Sequence, residues 1–551
     1  METVPNTDTH TESDEPDRSP LEAGISLAET VYSTLGPNGM DKMLIDDRGR
    51  VVVTNDGASI LNRLDISDPV GRVLETMVQR HHQSVGDGST TTLLLVGELL
   101  STAQSLRSGG LHPTTIIEGY YQATMRAREQ LSEYAHSIDH ADDALHGVAT
   151  TAVTGRWDDQ STDRFASLAL SALQAVDFGS SRLTISAYPG GELQDSRVIE
   201  GLLVDLDSSS TTIDLLDARE FQTLGAPRIA LIGSELTVDA PDSIETLSIT
   251  EAEQAAAFRS HDRQVRNGIV DRLQDVGATV VYCQKSIDKE IRTKLAAAGI
   301  LGVERTRQDE FDAISRSTGA TAVQSVDELT PQALGRAESI RQQTIGTTDT
   351  LVLAGCPEQS QSTVLLRGGT AHVADEMERI LQTCSSVVEQ AVHDGSVLPG
   401  GGASAMALSQ DLSRYAETVS GREQLAVRGF GGAVEQIPRV LATNAGVDPI
   451  DTLAALRTRH DAGATTVGID RSGSTREMIA AGVVEPRTVF DRSLATALEA
   501  TATLLRIDSI SMSEQSQTDA SHASYAGHSH DGHTGHDHGG HAGGYPWALS
   551  H

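Results

Sequence analysis

Val85-Gly86-Asp87-Gly88-Ser89-Thr90-Thr91-Thr92 is the stretch on which the reading of this chain turns. Its glycines let backbone N–H groups approach an anion closely. Four hydroxyls follow at a helix start, where the dipole favours negative charge. An acid at Asp87 is out of place beside a phosphate unless a divalent cation lies between them. The segment therefore reads either as a Mg-nucleotide site or as an ordinary capped helix start.

Three further loops share this design, a small turn running straight into an ordered element. Leu35-Gly36-Pro37-Asn38-Gly39 is one, and as a Gly-Pro turn it is also plain structure. Asn55-Asp56-Gly57 follows the apolar run Val51-Val52-Val53. It is a turn, or it presents Asp56 as a carboxylate that orients an attacking water. Pro399-Gly400-Gly401-Gly402 suits a hinge as well as a phosphate. Loops near the front and one near residue 400 together imply that the two ends of the chain meet around one ligand. The residues between would then be an insertion.

Periodicity supports that division. Leu21, Ile25, Ala28, Val31 and Leu35 recur at helical spacing and predict a helix stopped by Gly36-Pro37. Amphipathic helices are predicted over 68–84 and 90–107, and 139–185 reads as mostly helical. Arg228–Ile232 and Ala278–Tyr282 are short apolar strands with helices around them, the mark of an α/β unit. Helical spacing returns from Val373 to Ala391 and through most of 403–508. The expected fold is mixed α and α/β, multidomain, and mostly helical where the ends meet.

The 551 residues suggest roughly two to four domains. The net charge is −35, and only Lys42, Lys285, Lys289 and Lys294 among the 42 basic residues are lysine. Such a surface repels phosphate backbones and anionic lipids, so no nucleic acid and no membrane is expected among its partners. Acid excess with so little lysine fits a halophilic cytoplasm, where salt screens self-repulsion. Cys283, Cys356 and Cys384 are too few and scattered for a disulfide framework or a cysteine zinc site. No apolar run approaches the ~20 residues that span a bilayer.

Several motifs occur in an order that resembles the group II chaperonins, the archaeal thermosome and its eukaryotic cytosolic relatives. They are Thr34-Leu35-Gly36-Pro37-x-Gly39-Met40-Asp41-Lys42-Met43, Thr54-Asn55-Asp56-Gly57-Ala58 and the Gly86–Thr91 loop. Leu111-His112-Pro113, Gln284-Lys285-x-Ile287-Asp288, Leu366-Arg367-Gly368-Gly369-Thr370 and Pro399–Ala403 follow. Asn444-Ala445-Gly446-x-Asp448, Val484-Glu485-Pro486 and Leu505-Arg506-Ile507-Asp508 complete the set, which spans about 21–511.

The resemblance implies a subunit that assembles with other chaperonin subunits, identical or different, into a double ring. Driven by ATP and Mg²⁺, that ring encloses unfolded polypeptide substrates in the cytoplasm. It divides the chain into an arm (1–20), an equatorial domain (21–138 and 400–511), intermediate segments (139–200 and 353–399), an apical domain (201–352) and a tail (512–551). A helical protrusion falls at about 239–272. Carried over by position, Leu35, Gly36 and Pro37 contact the base and sugar, beside Asn55, Asp56 and Gly57. Asp87 holds the metal while Gly86, Gly88, Ser89, Thr90 and Thr91 grip the phosphates. Gly401 and Gly402 lie against the nucleotide, Glu485 faces the ribose, and Asp56 positions water.

Three departures accompany the resemblance. The family's second catalytic aspartate, within His-Asp-Ala, falls on Thr383 in Gln382-Thr383-Cys384. Threonine is no general base at neutral pH, and losing such a group costs ~10²–10⁴ in rate. Binding without turnover, as in a regulatory subunit of a mixed ring, is therefore the competing expectation. Asn38 stands where the family usually has lysine. The third departure is at the front: the family's short inter-subunit strand is replaced by a polar arm bearing Glu2, Asp8, Glu12, Asp14, Glu15 and Asp17. The tail carries eight of the nineteen histidines and reads as a low-complexity segment or, alternatively, a store for Zn²⁺, Ni²⁺ or Cu²⁺.

Overall fold

The computed structural model describes residues 19–45, 51–64, 66, 68–138, 142–206, 223–237, 252–357 and 361–507. The acidic arm up to residue 18, the first part of the expected protrusion and the histidine-rich tail lie outside those residues.

α1 (Pro20–Glu29) leads to a hairpin of β1 (Lys42–Ile45) and β2 (Val51–Thr54), then to the short α2 (Gly57–Leu61). Three long helices follow, α3 (Pro69–Val85), α4 (Ser89–Ser108) and α5 (Pro113–Tyr134), ending at β3 (His136–Ser137). Local chemistry sets their limits. Asp68 caps α3 by accepting from the Val70 amide at 2.7 Å, with Pro69 in the first turn. Gly86 ends α3 in the left-handed region (φ +77°), where glycine is unstrained. The first helix is shorter than the apolar spacing predicts: after Glu29 the chain tightens into a 3₁₀ turn at Tyr32–Thr34. Val31 and Leu35 still face inward, which is why the spacing runs past the helix end.

α6 (Asp142–Val153) and α7 (Asp159–Ala175) come next, and β4 (Leu183–Pro189) interrupts what the sequence reads as helix to 185. The middle then alternates: β5 (Arg197–Glu200), β6 (Leu202–Leu206), β7 (Thr223–Gly225), β8 (Arg228–Ile232), α8 (Ala252–Val276), β9 (Val280–Cys283), α9 (Lys289–Ala297), β10 (Leu301–Val303), α10 (Gln308–Thr318) and β11 (Ala322–Val323). β12 (Gly335–Arg336), β13 (Ser339–Ile345), β14 (Thr348–Ala354) and β15 (Ser362–Gly368) follow. A parallel sheet runs β10-β9-β8-β11, and an antiparallel one runs β6-β14-β13-β7. β8 and β9 are buried on both faces, as parallel strands under helices must be. Ile229, Leu231, Val280 and Tyr282 pack toward β6 and β14, while Ala230, Ile232, Val281 and Cys283 pack toward α8 and α9.

The chain returns through α11 (Ala371–Asp394) to β16 (Ser396–Pro399), α12 (Ala403–Ala416), α13 (Glu423–Asn444) and α14 (Pro449–Asp461). The hairpin β17 (Val467–Ile469) with β18 (Thr475–Glu477), β19 (Val484–Pro486) and α15 (Arg487–Leu505) complete it. α11 packs with α6 and α7 in a core that includes Phe165, Met377 and Leu381. The largest core joins the two ends of the chain, α4 and α5 from the front with α12, α13 and α15 from the back. Tyr120 meets Phe430 edge-on at 5.7 Å. Two forked pairs fasten α5 to its partners, Arg126 to Asp411 (2.8 and 3.0 Å) and Arg128 to Asp491 (2.7 and 3.0 Å).

Candidate functional site

A cleft of about 580 Å³ opens where those two ends meet. Its floor is the turn between α3 and α4. Gly88 is the N-cap of α4 at φ +80°, and a Cβ there would stand 2.9 Å from both Val489 Cγ1 and Ser493 Oγ. Only glycine lets this turn sit so tightly on α15. The first-turn amides of α4 and the side chains of Ser89, Thr90 and Thr91 consequently face the cleft. His81 fixes the turn from behind, its Nε2–H donating to the Asp87 carbonyl at 2.9 Å. Burial pushes His81 down to about 4, so the imidazole there is neutral.

Three carboxyls surround this floor. Burial raises Asp87 above the usual carboxylate range, with the Gly88 amide and Arg156 offsetting part of the effect. Burial would raise Asp56 too, but Arg156, His82 and Ser59 outweigh it and hold Asp56 low. Asp56 caps α2, its Oδ2 accepting from the Ser59 amide at 2.8 Å. Burial, and then the Asp87 charge, push Glu485 up to about 8. Among the described residues Asp87 makes no ion pair. A half-buried carboxylate with no ion-pair partner among the described residues, beside a bank of amides and hydroxyls, fits a hard cation carried in with a phosphate chain.

The opposite wall comes from the back of the chain. Gly401 and Gly402 are both left-handed (φ +60° and +74°) between β16 and α12, and the Gly401 carbonyl accepts from Ile469 N at 2.8 Å. Leu35, Gly36 and Pro37 close one end, held by Asn444, whose Nδ2 donates to the Leu35 and Tyr32 carbonyls at 2.9 and 3.0 Å. Asn38 Nδ2 donates to the Arg471 carbonyl at 2.8 Å, tying this loop to the β17–β18 turn. Of the sequence-predicted residues, Leu35, Gly36, Pro37, Asn55, Asp56, Asp87, Gly88, Ser89, Thr90, Thr91, Gly401, Gly402 and Glu485 all line the cleft. Gly57 does not; it packs behind Thr90.

A second chamber of about 290 Å³ adjoins the first, and Asp56 and Arg156 line both. Gly86 lies here, as does Thr383, buried on α11 and facing the same space as Asp56. The nearby acids of α11 are engaged elsewhere. Glu389 accepts from Ser180 N and Oγ at 3.1 and 2.5 Å, and Glu378 accepts from Gln382 at 3.1 Å.

Sequence reasoning missed Arg156, the cation that most offsets the burial of Asp56 and Asp87, together with Thr150, Thr151 and Thr154 before it. Thr150, Thr151 and Thr154 bond back to helix carbonyls, so the run reads as an ordinary helix end. The signal was Gly155: it is left-handed (φ +92°), and a Cβ there would lie 2.5 Å from the Pro37 carbonyl. It docks this turn on the Gly36-Pro37 loop. Arg471 and Arg476 of the β17–β18 hairpin, also missed, add two more cations to a strongly acidic chain's cleft.

Comparison with known proteins agrees with this architecture. The model of the TCP-1/cpn60 chaperonin family matches residues 27–515. A thermosome subunit of Methanopyrus kandleri is 38% identical over 509 residues, covering 90% of this chain and 91% of that protein. Thermosome subunit alpha of Halobacterium salinarum is 38% identical over 496 residues (89% and 87%). Thermosome subunit 1 of Haloferax volcanii is 37% identical over the same length (89% and 87%).

Proposed function

The chain belongs to the TCP-1/cpn60 chaperonin family, on its group II branch, and from that premise we propose that it is an ATP-binding subunit of a double ring that encloses unfolded polypeptides. The observation that carries the proposal is the cleft. It takes Asp87–Thr91 from the front of the chain and Gly401, Gly402 and Glu485 from the back, around a space of about 580 Å³. In this reading the core joining the two ends is the equatorial domain (21–138 and 400–511). The core of α6, α7 and α11 is intermediate (139–200 and 353–399), and the α/β unit (201–352) is apical, with the protrusion at about 239–272.

The first-turn amides of α4 with Ser89, Thr90 and Thr91 bind the phosphates, and Asp87 is the protein's ligand to Mg²⁺. Bound Mg²⁺ supplies neutralisation of phosphate charge. Leu35 and Pro37 pack on the base and sugar, Glu485 accepts from ribose hydroxyls, and Asp56 orients water. Arg156 faces the developing phosphate charge beside Asp56.

Association with further subunits, identical or different, is supported by the β1–β2 hairpin. Met43 pairs with Val53 and Ile45 with Val51. All four side chains are exposed, an apolar face unlike the surface of a lone globule. The acid surplus supports a halophilic cytoplasm as the working compartment. Among the described residues no helix is long and apolar enough to cross a membrane.

Thr383 favours a second reading: a subunit that binds nucleotide, hydrolyses it slowly and tunes a mixed ring. The test is ATP binding and steady-state turnover in molar salt for the native chain and Thr383→Asp. Tight binding with turnover raised about 10²-fold or more by the aspartate supports the regulatory reading. Turnover that the substitution leaves unchanged supports an ordinary working subunit. Failure of either chain to bind ATP refutes the site.

A further inference from the structure

The second chamber holds water-sized space against Asp56, on the face that the missing aspartate would have occupied. What remains there to take a proton from an attacking water is a short set. Asp56 has one oxygen on the Ser59 amide and is held low, against its burial, by Arg156. It is therefore a weak base. Glu376 is clamped by Arg379, whose Nε and Nη2 both donate to Glu376 Oε2 at 2.9 and 2.7 Å. Arg156 and Arg379 present only N–H donors, with no lone pair for a proton.

His82 is different. It sits in the last turn of α3, half-buried, and its imidazole lines this chamber with Thr383 and Asp56. Its Nδ1 lies 3.4 Å from Ser89 Oγ. With Nδ1–H donating to that hydroxyl, Nε2 is left as an acceptor, and among the described residues it has no other partner. A neutral imidazole keeps one ring nitrogen as a lone-pair acceptor, which is what a proton needs. Its neighbour His81 does not serve: Nε2 donates to the Asp87 carbonyl, Nδ1 lies 3.4 Å from Thr496 Oγ, and the residue does not line this chamber.

We infer that His82 is the proton acceptor for whatever ATP hydrolysis this chain performs, standing in across the chamber for the carboxylate absent at Thr383. The inference rests on the reading of the cleft as an ATP site. In the step, the water oxygen bonds to the γ-phosphorus while the bond from that phosphorus to the bridging oxygen breaks. The electron pair leaves with ADP, and the water proton passes to Nε2 of His82. The imidazolium then releases the proton to solvent. Its hydrogen bond to Ser89, at the phosphate end of α4, is what holds the ring at the chamber wall.

The test is epistasis in the full-length protein, read by single-turnover hydrolysis of γ-labelled ATP and by ATP affinity. His82→Asn keeps a donor toward Ser89 but removes the base. It should cut the rate about tenfold or more with affinity held within about threefold. In the Thr383→Asp background the same change should cost less than about twofold, because the carboxylate takes over. Equal losses in both backgrounds, or loss of ATP affinity, mark His82 as structural and overturn the inference. So does a native chain with no turnover beside an active Thr383→Asp, an outcome that leaves the ATP site standing. Binding without turnover in either chain overturns the hydrolytic reading of the site itself.

Discussion

Arg156→Met tests the electrostatics of the cleft most directly. Arg156 acts on Asp56 and Asp87 together, and no described salt bridge gives either acid another cation. Unit charges a few ångströms apart near a protein surface interact by about 2–4 kcal/mol. Removing the guanidinium therefore strips that much from each half-buried carboxylate and moves both upward. The empty protein should melt lower at neutral pH and regain part of the loss on mild acidification, as Asp56 takes up a proton. ATP brings a larger negative charge to the same place, so its affinity should fall about 10²-fold, while adenosine, which lacks phosphates, changes by less than about twofold. Arg156→Lys should recover most of both effects. Calorimetric titration with ATP and adenosine in molar salt, with melting at pH 6 and pH 8, reads all of them. If ATP and adenosine weaken equally, or neither weakens, Arg156 faces the phosphates in name only and the orientation proposed for the nucleotide is wrong.

Two further outcomes are expected. Glu485 is raised to about 8 in the fold from its ordinary 4.5, so the folded chain holds a proton that the unfolded chain releases across that window. Stability should fall as pH rises from about 5 to 8, and Glu485→Gln should flatten the slope, melting higher than the parent at pH 9 and close to it at pH 5. Ile45→Asp with Val51→Asp places two charges on the exposed face of the β1–β2 hairpin, where nothing among the described residues covers them. Light scattering should show assemblies lost with secondary structure intact, whereas assemblies of unchanged mass would remove the hairpin from the contact.

The parts of this architecture that were legible in the sequence are those fixed by local chemistry. Asp68-Pro69 and Gly86 bound α3 within a residue of the predicted 68–84, because caps and left-handed glycines act over a few residues. The two strands of the α/β unit were readable from unbroken apolar runs. The end of α1 was not, since Val31 is buried and Leu35 half-buried against the core whether or not the backbone between them is helical. β4 escaped notice for a related reason: its residues are mostly half-buried and show no clean alternation. Within the site, the glycine-rich loops announced themselves, and thirteen of the sequence-predicted residues do share one cleft. Arg156 and His82 did not. Each lies at the end of a helix, where an arginine or histidine is ordinary, and only the packing of α3 and α6 against α11 brings them beside Asp56. Asp56 caps α2 and also lines the cleft.

The joining of distant ends has a consequence for the birth of the protein. α4, with Leu93, Leu94, Leu95 and Val96 all fully buried in the finished fold, is made early. The helix that covers it from behind, α15, begins only at Arg487. At ribosomal speeds of about 5–20 residues per second, the front helices wait on the order of 20–80 s for their partner. Over that interval the α/β unit, whose strands and helices are near neighbours in sequence, is free to fold, while an apolar helix of the future cleft stays uncovered. A chain whose family is built to shelter others thus passes through a long stretch of synthesis in need of shelter itself.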